Sequence, residues 1–225
     1  MTTTTTRATG AAPANIILIR HGETAWNAER RLQGHLDIPL NAEGERQAAL
    51  LAGALAATPI DLLVSSDLMR ARQTAQPLAS TRGMALETDP LLRERCYGGF
   101  EGLLYSEIEA RFPAAFAAWQ AREVDVPLPD GRNRGESFRE FYARATGAIL
   151  AWGAANAGRT IALVAHGGVL ECAYRLALGL SLETARDFKV FNASINRFTF
   201  ADGSLRLQSW GEVGHLRPVV LDELP

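Results

Sequence analysis

The residues of this chain best suited to chemistry are two histidines that each follow a short apolar run. Arg20-His21-Gly22 comes directly after the run 15–19, and His166-Gly167 comes directly after the run 161–165. Such β-branched apolar runs are typical of buried strands in a parallel sheet. A neutral imidazole can attack phosphorus, and an adjacent guanidinium can hold phosphate oxygens in a bidentate way. The pattern therefore indicates phosphoryl chemistry, with His21 as the nucleophile.

A metal site is the main chemical alternative for the same residues. His21, His166 and Glu94 could in principle bind zinc. However, Arg20 adjoins His21, and Arg70 follows another predicted strand, so the crevice would hold positive charges next to a cation. That arrangement suits an oxyanion better than a metal ion, and we expect no metal here.

The elements that must position these residues alternate between strands and helices. In chain order we predict strand 15–19, helix 41–56, strand 61–65, helix 68–79, strand 85–88, helix 136–155, strand 161–165, helix 169–178 and a hairpin of 195–200 and 205–210. This order predicts a three-layer α/β/α sandwich with a mostly parallel central sheet and an antiparallel edge strand. Ligands bind beyond the carboxyl ends of parallel strands, so we expect His21 and His166 to face one crevice.

A further cation is expected at that crevice. Arg70 lies in the first turn of the helix that follows strand 61–65, and Asp67 is expected to cap this helix. Arg72 lies about 200° further round the helix, so both arginines cannot point inward. We therefore expect Arg70 to face the site and Arg72 to face solvent.

Composition limits the classes of partner. A net charge of -2 over 225 residues gives no general attraction to nucleic acid or anionic lipid. No apolar run reaches the roughly 18 residues of a membrane-spanning helix. Cys96 and Cys172 lie far apart, which is typical of reduced thiols and not of a disulfide framework. We expect a cytoplasmic protein with no nucleic-acid or membrane partner, either a monomer or a homodimer.

The chain is expected to form one domain with an irregular insertion. The threonine-rich segment 1–14 is predicted to be a disordered tail, and 15–225 to be the domain. Proline and glycine bracket the stretch 103–135, in which one helix is predicted near Phe116 and Trp119. We expect this insertion to lie over the sheet edge, where it could shape a pocket.

Several motifs together resemble those of the histidine phosphatase, or phosphoglycerate mutase-like, superfamily. They follow the family's order between residues 15 and 216 and include Arg20-His21-Gly22-Glu23-Thr24, Leu32-Gln33-Gly34, Ser66-Asp67-Leu68-Met69-Arg70, Glu94-Arg95-Cys96-Tyr97-Gly98, Gly135-Glu136-Ser137, His166-Gly167 and Asn192-Ala193-Ser194. The resemblance covers nearly the whole chain. It implies the family's fold and a phosphatase or mutase activity.

The resemblance also implies roles for individual side chains. His21 is similar to the family nucleophile that forms a phosphohistidine, and Glu94 to the proton donor for the leaving oxygen. Arg20, Arg70 and His166 are similar to the groups that hold the transferring phosphoryl oxygens without a metal. The other residues expected to bind the substrate or its phosphate are Asn27, Gln33, Gly34, Tyr97 and Gly167.

Alternatives stay open for one residue and for the chain. Glu94 lies between Arg93 and Arg95, so a purely structural ion pair is the alternative to a catalytic role. For the chain, the first hypothesis is a phosphomonoesterase that acts on a small phosphorylated metabolite and needs no cofactor. The second is a phosphoglycerate mutase that depends on 2,3-bisphosphoglycerate. The third is an inactive phosphate-binding protein.

Three departures from the family's mutases favour the phosphatase. Those mutases resemble one another in an adjacent arginine pair within the insertion, whereas 121–125 and 130–134 hold no such pair. Gly168 stands where they carry an asparagine. The segment 221–225 is acidic and unsuited to closing over an anionic substrate. We therefore expect hydrolysis, although Arg132 and Arg134 could still approach the site.

Overall fold

The computed structural model describes residues 12–216. Most of the predicted tail 1–14 therefore lies outside the described residues, as does the acidic segment 221–225. Among residues 12–216, no helix combines the length and the apolar character needed to cross a membrane.

One six-stranded sheet lies at the centre of the fold. Its strands are β1 (Ala14–Arg20), β2 (Leu62–Ser65), β3 (Leu86–Thr88), β4 (Thr160–Ala165), β5 (Ile195–Ala201) and β6 (Ser204–Glu212). They are arranged in the order β3-β2-β4-β1-β5-β6. The first four strands of that order run parallel, and β5 pairs antiparallel with β1 and with β6. The predicted mixed sheet is confirmed.

Helices cover both faces of the sheet. They are α1 (Ala25–Glu29), α2 (Ala42–Ala54), α3 (Met69–Arg82), α4 (Tyr105–Arg111), α5 (Pro113–Gln120), α6 (Phe138–Ala155) and α7 (Gly167–Leu178). Side chains alternate along β1, so Leu18 packs in a core with α6 and α7, whereas Ile19 packs in a second core with α2 and α3. This arrangement is the predicted three-layer sandwich. The short helices α1 and α4 were not expected from the sequence.

The insertion packs against the connection that follows β1. Phe100, Ile108 and Leu128 form its small buried cluster. Leu32 N–H donates to Leu103 O at 3.1 Å, which attaches the insertion to the connection that follows β1. Residues of 103–135 line a pocket together with residues at the carboxyl ends of the strands, so the insertion shapes a pocket as expected.

The expected helix cap at Asp67 is wrong. The residue that precedes α3 is Leu68, and its side chain makes no capping hydrogen bond. Asp67 instead accepts two hydrogen bonds from Arg93, at 2.7 and 2.6 Å. A bidentate guanidinium is a stronger partner for a carboxylate than a backbone amide, because both groups are charged.

Candidate active site

The register of two parallel strands brings the two histidines together. Arg20 of β1 lies opposite Ala165 of β4, and His21 N–H donates to Ala165 O at 2.9 Å. The rings of His21 and His166 therefore lie with their centroids 5.2 Å apart. Both side chains are buried, with 3% and 0% of their surface exposed. The two strand ends thus bring both histidines together, although of the two only His21 lines a pocket.

His21 is held as a neutral imidazole with one defined tautomer. Its Nδ1 lies 2.7 Å from Gly22 O, and because a carbonyl oxygen can only accept, Nδ1 carries the proton. Burial, followed by the positive charges of Arg70 and Arg20, lowers the pKa of His21 well below its ordinary value. The neutral ring therefore keeps its lone pair on Nε2, the nitrogen that can act as a nucleophile.

A loop distant in sequence fixes the backbone of His21. Asn192 Nδ2 donates to His21 O at 3.0 Å, and Ala193 N–H donates to the same oxygen at 3.2 Å. On the neighbouring residue, Gly22 N–H donates to Thr74 Oγ1 at 2.9 Å. Asn192 occurred in a matched motif, but nothing in its sequence context indicated a contact with His21.

Two arginines supply buried positive charge beside His21. Arg20 Nη1 donates to Val190 O at 2.7 Å, and Arg70 donates to Gly34 O at 2.8 Å and to Leu36 O at 2.9 Å. Each side chain is only 1% exposed. Burial lowers the pKa of Arg70 to about 10, so the guanidinium stays charged at neutral pH. Nε of Arg70 has no hydrogen-bond partner within the described part of the chain.

His166 lies behind His21 and is also neutral. Its Nε2 lies 2.8 Å from Ser66 Oγ, and its buried Nδ1 has no partner among residues 12–216. Burial, then the positive charge of Arg70, lowers the pKa of His166 well below its usual range. Ser66 was part of a matched motif, but we had given it no role. Its hydroxyl now sets which nitrogen of His166 is engaged.

Backbone amides hold the carboxyl group of Glu94 in place. Arg95 N–H donates to Oε1 at 2.8 Å, and Gly168 N–H donates to Oε2 at 3.0 Å. A Cβ atom on residue 168 would lie 2.3 Å from Glu94 Oε1, closer than nonbonded atoms can approach. The glycine after His166-Gly167 therefore makes room for Glu94.

The flanking arginines of Glu94 use other partners. Arg93 pairs with Asp67, and Nε and Nη2 of Arg95 donate to Glu136 O at 3.1 and 2.8 Å. Both flanking guanidinium groups therefore bond to groups other than Glu94, whereas the structural alternative to a catalytic role had paired them with it. Glu94 itself is 5% exposed and lines the same pocket as His21.

One pocket collects most of the residues that we had proposed from the sequence. Those that line it are Arg20, His21, Asn27, Gln33, Gly34, Arg70, Glu94 and Tyr97. His166 and Gly167 are not among the lining residues and adjoin the pocket from behind His21 and Gly168. Arg72 is exposed on α3, as expected.

Helix α1 orients one of the polar lining residues. Asn27 Oδ1 accepts hydrogen bonds from the N–H and the hydroxyl of Thr24, both at 3.1 Å, in a capping box. The amide oxygen of Asn27 is thus used within the helix. Its NH₂ group remains as the end that can donate to a ligand oxygen.

The other end of the pocket is formed largely by the insertion. Aromatic side chains there are Trp26, Tyr97, Tyr105 and Trp119. Arg122 of the insertion donates to Glu171 Oε1 of α7 at 2.9 Å, and both residues line the pocket. Neither had been singled out, because no local pattern connects an insertion residue with a helix 49 residues away. This end has room for the organic part of a substrate.

The residues do not resemble a metal centre. Within residues 12–216, no three His, Cys, Asp or Glu side chains are grouped so that they could hold a metal ion. The buried charged groups that lower the pKa of His21 are the guanidinium groups of Arg70 and Arg20, and guanidinium groups attract anions.

The sandwich fold and this pocket define an α/β protein with a buried histidine beside two buried guanidinium groups. The family model for the histidine phosphatase superfamily (branch 1) matches residues 16–213. The chain therefore belongs to the histidine phosphatase superfamily, and the resemblance seen in the motifs is confirmed.

Known relatives are named for both mutase and phosphatase activity. The chain is 41% identical to "Phosphoglycerate mutase-like protein 4" of Arabidopsis thaliana, over 90% of this chain and 87% of that protein. It is 35% identical to "Metal-independent phosphoserine phosphatase" of the same organism, over 91% and 84%. Among solved structures, Bacillus stearothermophilus YhfR superposes with a TM-score of 0.81 at 30% identity, covering 90% of this chain and 99% of that one.

Proposed function

We propose that the protein is a phosphomonoesterase that hydrolyses a small phosphorylated metabolite through a phosphohistidine on His21. The observation that carries this proposal is the state of His21. Its ring is neutral, its Nδ1 proton is engaged by Gly22 O, and two buried guanidinium groups lie beside it. A nucleophile that is uncharged but surrounded by positive charge suits a phosphate dianion.

In the first step, Nε2 of His21 bonds to phosphorus and the bond from phosphorus to the leaving oxygen breaks. The electron pair of that bond passes to the leaving oxygen, which takes a proton from the carboxylic acid form of Glu94. The organic product leaves as an alcohol, and Glu94 becomes a carboxylate. Arg20 and Arg70 hold the phosphoryl oxygens as charge moves between them.

In the second step, a water molecule attacks phosphorus and gives its proton to the carboxylate of Glu94. The bond from phosphorus to Nε2 breaks, and its electron pair returns to His21. Inorganic phosphate forms, and both residues regain their starting protonation states. Asn27 supplies a further polar contact to the phosphoryl oxygens, and Gln33 and Gly34 complete their surroundings. His166 and Gly167 support the site from outside the pocket lining, and Tyr97 contacts the organic part of the substrate.

Hydrolysis is favoured over the mutase reaction by the departures from the family's mutases, which are the missing arginine pair in 121–125 and 130–134 and the glycine at position 168. Gly168 leaves the space that the carboxyl group of Glu94 occupies, since a Cβ there would lie 2.3 Å from Oε1. Arg122, an insertion arginine in the pocket, is already bound to Glu171 Oε1, which also accepts from Arg175. The relative named as a metal-independent phosphoserine phosphatase makes phosphoserine a first substrate to test.

The decisive experiment combines turnover with trapping of the intermediate. We expect release of inorganic phosphate from p-nitrophenyl phosphate and from at least one member of a panel of phosphorylated metabolites, unaffected by EDTA. An acid-labile phosphoenzyme should form in the native protein and be absent in His21→Ala. His215→Gln is the matched control, since His215 lies outside the pocket.

Three results would contradict the proposal. Undiminished turnover by His21→Ala would reject the nucleophile. Loss of activity on chelation, restored by zinc, would favour a metal mechanism. Interconversion of phosphoglycerates that is stimulated by 2,3-bisphosphoglycerate and exceeds phosphate release would favour the mutase.

A further inference from the structure

The segment that carries Glu94 has no regular secondary structure of its own. Residues 93–97 lie between two short 3₁₀ turns, Pro90–Leu92 and Gly98–Phe100, and belong to no helix or strand. Buried backbone groups must nevertheless find hydrogen-bond partners. In this segment the partners are largely side chains, and most of these side chains belong to the ion pair of Arg144 and Glu136.

A single guanidinium group holds two carbonyl groups of this segment and one of the turn that precedes it. Arg144 Nη1 donates to Leu91 O at 2.9 Å and to Arg93 O at 3.0 Å, and its Nη2 donates to Glu94 O at 3.1 Å. His35 Nε2 lies 2.8 Å from the same Glu94 O. The position of the Glu94 backbone therefore depends on Arg144.

Glu136 locks Arg144 and also bonds the next part of the segment. Arg144 donates to both carboxylate oxygens of Glu136, at 2.8 and 2.7 Å. Glu136 Oε2 accepts from Cys96 N–H at 2.8 Å, and Glu136 N–H donates to Cys96 O at 2.9 Å. The guanidinium of Arg95 donates to Glu136 O. The ion pair thus contacts the segment on both sides of Glu94.

The ion pair is held by helix α6 and by the residue just before its N-cap. Arg144 lies in α6, whose first turn is capped by Ser137, directly after Glu136. Phe141 and Ala145, on either side of Arg144 in the sequence, are buried in the main core. The side chains of Arg144 and Glu136 are only 19% and 16% exposed. A partly buried bidentate pair on a packed helix holds its geometry far better than an exposed pair.

We propose that the Arg144–Glu136 pair is a positioning device that sets the carboxyl group of Glu94 at hydrogen-bond distance from the leaving oxygen. This inference rests on the proposed role of Glu94 as proton donor. Neither Arg144 nor Glu136 lines the pocket, so both act through the Glu94 backbone. Their removal should therefore impair proton donation more than phosphate binding.

The test compares two esters that differ in their need for a proton. Nitrophenolate leaves without protonation at neutral pH, whereas the alkoxide of phosphoserine needs a proton as the bond breaks. We would measure kcat/KM for p-nitrophenyl phosphate and for phosphoserine, or for the best alkyl phosphate of the metabolite panel. Arg144→Lys keeps the charge but loses the bidentate geometry. We expect its ratio of alkyl to nitrophenyl kcat/KM to fall about 30-fold, as a misplaced catalytic group predicts.

A double-variant cycle separates positioning from general damage. Glu94→Gln alone should lower the same ratio, and adding Arg144→Lys to it should lower the ratio no further. Arg46→Lys is the matched control, because Arg46 forms a bidentate pair with Glu43 on the exposed face of α2. Its ratio should equal that of the native protein.

The outcomes distinguish this inference from the proposed function. If Glu94→Gln changes the ratio but Arg144→Lys lowers both esters equally, Arg144 is only structural and the inference is wrong. If Glu94→Gln leaves the ratio unchanged, the donor role of Glu94 fails instead, and with it the proposed mechanism. Should Arg144→Lys fold poorly, Glu136→Gln replaces it, since a glutamine oxygen can still accept from Cys96 N–H.

Discussion

The two ends of the pocket are built in different ways. At the phosphoryl end, Arg20, His21, Arg70 and His166 are each 3% exposed or less and lie where strands of the sheet end. At the leaving-group end, Tyr105 and Trp119 are partly exposed and lie on short helices of the 103–135 insertion. The insertion cluster contains three buried hydrophobic residues, whereas the main cores contain many more.

In the proposed function, the phosphoryl end carries the reaction and the insertion end selects the substrate. Hydrogen bonds and strand register in the sheet hold the phosphoryl end. The contacts that fix its geometry are therefore also contacts that stabilise the fold. The insertion is held by fewer buried contacts, and such segments open locally at lower free energy and tolerate change. Substitutions at the first end should therefore act on kcat and stability, and those at the second end on KM.

The largest effect is expected for Arg70→Gln. Loss of a buried guanidinium that faces the transferring phosphoryl group should lower kcat about 100- to 1000-fold. The carbonyls of Gly34 and Leu36 would also lose their donors, which should lower the free energy of unfolding by about 1–3 kcal/mol. Steady-state kinetics and urea unfolding measure the two effects. A change in KM alone would contradict the assignment of Arg70 to the phosphoryl end.

A smaller and different effect is expected for Trp119→Ala in the insertion. Its ring contacts Tyr97, Phe100 and Tyr105, with centroids 5.3 to 6.1 Å apart. Because the proposed function places the leaving group, and not phosphorus, against the aromatic wall, KM for an alkyl phosphate should rise by about tenfold, as for the loss of roughly 1.4 kcal/mol of binding. The kcat for p-nitrophenyl phosphate should stay within about twofold. A collapse of kcat would show that the two ends are not separable.

The pH dependence of stability should also arise at the phosphoryl end. The chain has four histidines, none of them in the insertion, and the pKa values of His21 and His166 are lowered well below normal. The unfolded chain therefore takes up protons below about pH 6.5 while the folded chain does not, so stability is full above that pH and falls as the pH falls.

Urea unfolding at pH 7.5, 6.5 and 5.5 measures this effect. His21→Asn should show a smaller loss of unfolding free energy between pH 6.5 and 5.5 than the native protein. His35 and His215, whose pKa values are also lowered, leave a residual slope. An identical slope in the two proteins would mean that His21 does not resist protonation.

The smallest effect is expected for Arg134→Gln. Arg134 pairs with Glu140, and their side chains are 64% and 44% exposed. An exposed pair contributes little, so the free energy of unfolding should change by less than about 0.5 kcal/mol. Arg134 is not among the pocket-lining residues, so KM should be unchanged as well. A several-fold rise in KM would show that this insertion arginine reaches the substrate.

Local sequence patterns were sufficient for the central sheet and for most of the phosphoryl end. A strand that is apolar on both faces must be buried between two layers, and the residue after it must emerge at the rim. That reasoning placed Arg20 and His21 at the end of β1 and His166 directly after β4. The period of an α-helix likewise separated Arg70, which is buried, from Arg72, which is exposed.

The tertiary structure alone decided which distant groups support those residues. Asn192 bonds a carbonyl 171 residues away, Arg144 bonds one 53 residues away, and Arg122 meets a carboxylate 49 residues away. Asp67 likewise pairs with Arg93, a residue distant in sequence, instead of capping α3. Periodicity records only which side of an element is buried, whereas hydrogen-bond partners depend on how crossovers and loops bring elements together. The sequence by itself therefore determined the sheet and its reactive rim, and the folded chain determined how that rim is held.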